Sequence, residues 1–90
     1  MKYLEKYQSM IDDEVDVAKI YADMYCKLKE SNPQVASQFS EMAKDEIDHY
    51  HKLNEIAQSM LEDDESRIIF DYLHSRNNKR VAECEMLLSM

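Results

Sequence analysis

Three ionisable residues of this sequence, Glu14, Glu46 and His49, stand where a packed helix normally carries apolar side chains. Glu14 falls within a series of apolar residues spaced three and four apart, and Glu46 and His49 interrupt a second such series. This spacing is typical of helices that pack into a bundle. Burying an unpaired carboxylate costs on the order of several kcal/mol, so we interpret the three residues as ligands of a shared metal. A Glu–His hydrogen bond and a locally exposed stretch of helix are the alternatives.

Helix geometry predicts that the three residues lie at one level. With a rise of about 1.5 Å per residue, Glu14 is roughly 22 Å from Lys29, near the end of the first predicted helix. Counted from Pro33, Glu46 and His49 lie roughly 20 and 24 Å along the second helix. Glu46 and His49 are three residues apart and therefore share a helix face. A Glu-x-x-His spacing alone often arises by chance, and the matched level makes this one more specific.

The secondary-structure elements predicted to carry these residues are helices, which indicates an all-α fold. A first helix is expected from about Lys2 to about Lys29 and a second from about Pro33 to about Leu61. Between them Asn32 is a good N-cap and Pro33 a good first helical residue. A turn this short predicts an antiparallel hairpin. The apolar series are Leu4, Tyr7, Ile11, Ala18, Tyr21, Tyr25 and Leu28, then Val35, Phe39, Met42, Leu53, Ile56 and Met60, with Ala36, Ala43, Tyr50 and Ala57 beside the second.

A third helix is predicted from about Arg67 to about Leu88. It follows an acidic break in which Asp64 or Ser66 would be the N-cap. Its middle is strongly polar, which leaves open whether the helix is continuous. Its apolar series is Phe70, Leu73, Asn77, Val81, Cys84 and Leu88.

Composition narrows the range of functions. The 90 residues suffice for one helical domain, with a metal-binding hairpin over residues 1–61 and a C-terminal helix over residues 67–90. There is no Gly and a single Pro, which excludes glycine-rich phosphate loops and nucleophile elbows. The net charge of -8 argues against a nucleic-acid partner.

No apolar run has membrane-spanning length and no signal peptide is evident, so we expect no membrane partner and a cytoplasmic location. The two cysteines are too few for a four-cysteine iron centre.

The three ligands make half of a known ligand set. A di-iron carboxylate bundle uses one Glu from each of two helices and a Glu-x-x-His from each of the other two. The predicted hairpin supplies one Glu and one Glu-x-x-His. Two hairpins about a two-fold axis would supply the whole set and cover the wide apolar faces of both helices. We therefore expect a homodimer or higher homo-oligomer, in which a four-helix bundle holds two iron ions per dimer at an intersubunit site.

Two stretches carry a family resemblance. Residues 14–21, EVDVAKIY, place Ala18 and Tyr21 after the Glu, and residues 39–49, FSEMAKDEIDH, end in the Glu-x-x-His. These stretches resemble the first two helices of the ferritin-like superfamily, particularly its rubrerythrin-type and half-length encapsulated-ferritin members. The resemblance covers about residues 10–60. It implies a di-iron site with Glu14, Glu46 and His49 as metal-binding and catalytic residues, and oxidation of Fe(II) by oxygen or peroxide.

Together these features predict a ferroxidase that oxidises Fe(II) at an intersubunit site for iron storage or detoxification. A peroxide- or oxygen-scavenging protein of the rubrerythrin type is one alternative, and a metal-free helical interaction module is another. The encapsulated-ferritin resemblance also implies an encapsulating shell protein as a partner, and thus a location inside a protein compartment. Those relatives usually carry a C-terminal targeting tail, often with Gly, whereas this chain ends in MLLSM.

Other polar and aromatic residues near the ligands receive simpler interpretations. Tyr21 and Tyr25 lie in the apolar series, where core packing is favoured over electron transfer. Asp45 or Asp48 would be candidates to orient His49, since metal-bound histidines usually donate their second N–H, but solvent-exposed positions are favoured. The remaining histidines, and an Asp-x-x-His spacing in the third helix, are interpreted as surface features: His51, Asp71 and His74.

Overall fold

The computed structural model describes the backbone of residues 2–90 and the side chains of residues 4–90. Within that part of the chain it contains three α-helices and no strand: α1 spans Lys2–Leu28, α2 spans Pro33–Ser59 and α3 spans Asp64–Ser89. The helices form a rod 50 Å long. The all-α prediction is thus confirmed. Over residues 2–90, no helix combines the length and the apolar character that crossing a bilayer requires.

The turn between α1 and α2 has the predicted chemistry. Asn32 is the N-cap of α2, and its side chain accepts a hydrogen bond from the Val35 backbone N–H at 3.3 Å. Pro33 occupies the first helical position, where a missing N–H costs nothing. The Asn32 N–H also donates to the Leu28 carbonyl at 2.7 Å, which closes the end of α1. These bonds reverse the chain within four residues and make α1 and α2 an antiparallel hairpin.

The start of α3 differs from the prediction. The N-cap is Asp63, not Asp64 or Ser66, and its side chain accepts a hydrogen bond from the Ser66 N–H at 2.7 Å. That bond lowers the pKa of the Asp63 carboxyl. Asp64 and Glu65 then form an acidic first turn, which suits the positive end of the helix dipole. The helix therefore begins earlier than its apolar series suggested.

The core row of the hairpin also differs from the prediction. In α2 the row of small residues that seemed to flank the apolar series is the buried one, and the larger residues are partly exposed. Small side chains let two helices approach closely, so the alanines form the contact and the bulky residues surround it. The buried apolar residues of the hairpin are Leu4, Ile11, Val15, Ala18 and Ala22 in α1 and Ala36, Ala43, Ile47, Tyr50 and Ala57 in α2.

This packing leaves a partly exposed surface along one side of the hairpin. Met10 is 43% exposed, Met42 40% and Ile56 46%. Apolar residues predominate there, and Glu14, Glu46 and His49 lie among them. We call this surface the open face and define it as Tyr7, Met10, Glu14, Val17 and Tyr21 of α1 with Phe39, Met42, Glu46, His49, Leu53 and Ile56 of α2.

Helix α3 runs parallel to α1, on the side away from the open face. Asn77 donates to the Asp12 carboxylate at 2.9 Å, and Arg80 pairs with Asp16 one turn further along both helices. With about 100° of rotation per residue, Asp12 and Asp16 lie roughly opposite Glu14 around α1. The polar middle of α3 is thus continuous helix, because its amide and guanidinium groups find carboxylate partners on α1.

Candidate metal centre

The three predicted ligands lie at the middle of the hairpin. The central residue of α1 is Val15, next to Glu14, and the central residue of α2 is Glu46. The antiparallel turn brings these midpoints to the same level, as helix rise predicted. Glu14 therefore faces Glu46 and His49 across the helix pair, in the centre of the open face.

The donor atoms of this trio are close together. One ligand atom from each of Glu14, Glu46 and His49 lies within 4.8 Å of the others. His49 Nδ1 is 3.5 Å from Glu14 Oε2 and 3.8 Å from Glu46 Oε2. The carboxylate side chains are 26% and 22% exposed and the imidazole is 53% exposed. Two acidic groups and one imidazole thus converge on a point that is open on one side.

One oxygen of the trio is left without a hydrogen bond. Glu14 Oε2 is buried and has no hydrogen-bond partner among the described residues. The contact with His49 Nδ1 is within ion-pair range but does not meet hydrogen-bond geometry. A buried acceptor without a partner costs roughly 1–3 kcal/mol, and more when it is charged. A bound cation removes this cost, so the residues present fit a metal site.

Apolar side chains border the trio at both ends. Met10 lies one turn before Glu14, at the level of Leu53, and Val17 lies one turn after it, at the level of Met42. Beyond Val17 and Met42 the rings of Tyr21 and Phe39 contact each other, with centroids 6.0 Å apart. A partner packed on this surface would therefore enclose the donor atoms in apolar walls and exclude water.

The neighbouring residues singled out in the sequence have minor roles in this geometry. Tyr21 and Tyr25 are half-buried, which fits packing. Asp45 and Asp48 are exposed, and within residues 4–90 the ion-pair contacts of His49 are with the two glutamates alone. The expectation that both aspartates are solvent-exposed is confirmed.

A polar cluster behind the site was not predicted. Tyr50, which follows His49, is fully buried, and its hydroxyl donates to the Asn78 side-chain oxygen on α3. Asn78 also contacts His74, whose ring stacks on Phe70 at 5.4 Å. Burial raises the pKa of the Tyr50 hydroxyl. The assignment of His74 to the surface is therefore wrong: the residue is partly buried, because the ring of Tyr50 from α2 also stacks on it, at 6.5 Å, and leaves no local signal in the sequence of α3.

Comparison with known families agrees with this geometry. The family model for rubrerythrin matches residues 8–83, which include all three predicted ligands and most of α3. The chain belongs to the rubrerythrin family. Comparison with curated proteins and with solved structures gave no match. Rubrerythrin-family proteins typically bind a pair of iron ions, and the chain is a ferritin-like, helical, iron-binding protein on that basis.

Proposed function

We propose that this protein is a di-iron ferroxidase whose site is completed by a second copy of the chain, and that it oxidises Fe(II) for iron storage or detoxification. The observation that carries the proposal is the unpartnered Glu14 Oε2, which is buried beside a second carboxylate and an imidazole. This grouping is unfavourable in the metal-free protein and becomes favourable when cations occupy it. Family membership supports iron as the metal.

The donor types suit this chemistry. Carboxylate oxygens with a few imidazole nitrogens are ligands for Fe(II) and Fe(III), as well as for Mn and Zn. Glu14 and Glu46 supply negative charge, and His49 supplies a neutral donor whose ring is held beside both carboxylates. Iron bound there would supply the redox chemistry, in which two Fe(II) ions give two electrons that, with two protons, reduce one hydrogen peroxide to two waters. The chain's role is to bind, orient and shield.

Three observations support the homodimer. The trio is half of the four-carboxylate, two-histidine set of a di-iron bundle. It lies in an open face that leaves Met10, Met42 and Ile56 between 40% and 46% exposed. It also lies at the midpoint of both helices, so a two-fold axis through the site makes two hairpins overlap along their full length. An off-centre site would leave part of each apolar face uncovered.

Native mass spectrometry with elemental analysis, after anaerobic addition of Fe(II), tests the proposal. We expect two irons for every two chains in the wild type and loss of iron from Glu46→Gln. Glu41→Gln is the matched control, because Glu41 is an exposed glutamate on the same helix. A protein that remains metal-free, with the same mass in all three forms, would overturn the proposal and favour a metal-free interaction module. Rates of Fe(II) oxidation with oxygen and with hydrogen peroxide then separate a ferroxidase from a peroxide scavenger.

A further inference from the structure

Helix α3 carries large apolar side chains on two opposite faces. One face, with Phe70, Val81 and Cys84, is buried against the hairpin. The other face is exposed. With about 100° of rotation per residue, its apolar members lie within about 40° of one line, roughly opposite the buried row. We call them the outer stripe: Ile68 at 70% exposure, Tyr72 at 68%, Met86 at 65% and Met90 at 69%.

The outer stripe requires an explanation beyond the fold of one chain. Single exposed apolar residues are normal on protein surfaces. Four large ones aligned on a single helix are a different case, because a helix that is apolar on two sides normally packs on both. The open face does not cover the stripe, since α3 lies on the opposite side of α1. A second packing partner on this side of α3 would cover the stripe.

We propose that this partner is α3 of a second copy, packed antiparallel about a two-fold axis that passes between Lys79 and Arg80. A two-fold contact must be self-complementary. The apolar residues of α3 satisfy this condition, while the two Lys79 side chains meet near the axis. With this axis, Tyr72 lies at the same height along the helix pair as the partner's Met86, to within one residue. Ile69, 46% exposed and beside the stripe, is level with the partner's Met90.

Charge supports the same register. Arg76 and Glu83 are equally distant from the proposed axis, so each is level with its opposite in the second copy. Both are exposed and lie along the same edge of the outer stripe. In an antiparallel helix pair the same edges of the two helices meet, which gives two cross-subunit ion pairs. A parallel pairing would place these edges on opposite sides of the contact, so that neither ion pair could form.

The α3 contact and the contact through the open face use opposite sides of the chain. They therefore do not compete, and together they join dimers into a larger assembly. This inference does not rest on the metal site, since none of the residues in the α3 contact belongs to the open face. It also bears on iron storage, which needs a larger assembly or a container, because a hairpin dimer alone encloses no space for a mineral.

Cysteine cross-linking tests the contact and its direction. Lys79 is exposed and lies in line with the outer stripe, so Lys79→Cys should form a disulfide with its own symmetry mate under mild oxidation. Ile68→Cys is the matched control, because Ile68 lies roughly 17 Å from the axis and its mate roughly 35 Å away, too far for a disulfide. The wild type, with Cys26 and Cys84, gives the background.

Assembly mass gives a second, independent measurement. Glu83→Arg should reduce the native mass from more than two chains to two, and adding Arg76→Glu should restore it. Glu85→Arg, the same charge change off the stripe, should leave the mass unchanged. Arg76 also pairs with Asp12 at 3.6 Å, but exposed pairs contribute little to stability. Cross-linking of both cysteine variants would mean a parallel pair, and cross-linking of neither would mean another occupant; each result would overturn the proposal.

Discussion

Replacing Glu14 with Gln should stabilise the metal-free protein and abolish its stabilisation by iron. Two carboxylates and an imidazole share a space in which their ligand atoms lie within 4.8 Å, and one oxygen of Glu14 has no hydrogen-bond partner. Without a cation, the two carboxylates repel each other. Gln has the same shape as Glu but carries no charge, so the substitution removes the repulsion and leaves the packing intact.

The size of the effect follows from distance and exposure. Two like charges 4 Å apart repel by about 1 kcal/mol in bulk water and by about 4 kcal/mol at an effective dielectric constant of 20. Glu14 and Glu46 are 26% and 22% exposed, so solvent screens them in part. We expect Glu14→Gln to raise the free energy of unfolding of the metal-free protein by about 1 kcal/mol, which corresponds to a Tm increase of about 4–8 °C.

Thermal melts at one chain concentration, in chelator and with anaerobic Fe(II), measure both effects. A ligand at 100 times its Kd stabilises the folded state by about 2.7 kcal/mol, so iron should raise the Tm of the wild type above that of the variant. The order of stability thus reverses between the two conditions. Glu41→Gln makes the same charge change at an exposed site and should melt like the wild type in both. Equal melts of Glu14→Gln and wild type, with an equal gain from iron, would refute the reasoning.

Three further predictions concern the packing of α3 and the buried thiol. Asn77→Ala should destabilise the protein by about 1–3 kcal/mol in urea unfolding, since Asn77 is fully buried and holds a carboxylate of α1; Ser75→Ala, an exposed change, should be neutral. The pKa of the Asp63 carboxyl is lower in the folded protein than in the unfolded chain. The Asp63 carboxylate therefore stabilises the fold at pH values above its ordinary pKa, and this stabilisation is lost as the pH falls through the pKa of the folded state. Unfolding measured at pH 7 and pH 3 should therefore show a larger gap between wild type and Asp63→Ala at pH 7 than at pH 3. Burial raises the pKa of the Cys84 thiol, so at pH 8 a thiol reagent should label Cys26 first and Cys84 only in denaturant.

The sequence was sufficient for the parts of the structure that depend on local geometry. Helix rise is constant and the turn at Asn32 is short, so the common level of Glu14, Glu46 and His49 followed from counting residues. The helix ends at Leu28 and Pro33 agree with prediction because proline and a capping side chain act on their immediate neighbours. Whether the trio binds metal stays a prediction.

What the sequence could not reveal depends on contacts between helices. In the sequence, Asn77 is a polar interruption of the apolar series of α3. It is nevertheless fully buried, because Asp12, which is distant in the sequence, accepts its hydrogen bond. His74 reads as a surface residue until Tyr50 and Phe70 from two helices cover it. Residue periodicity reports which side of a helix is apolar, but it does not report which of two adjacent apolar rows meets the neighbouring helix.

The choice of which apolar row forms the contact between α1 and α2 determines the geometry of the metal site. The spacing of two packed helices depends on the side chains at their contact, and here the contact is made by small residues, including Ala18 on α1 and Ala43 on α2, both fully buried. Ala43 lies one turn before Glu46, and Ala18 one turn after Glu14. Because these alanines keep the helices close, a Glu from α1 reaches the donor atoms of α2 within 4.8 Å. Had the larger residues of the open face formed the contact instead, the ligands would be buried inside one hairpin, with no position left for a second copy to complete the set.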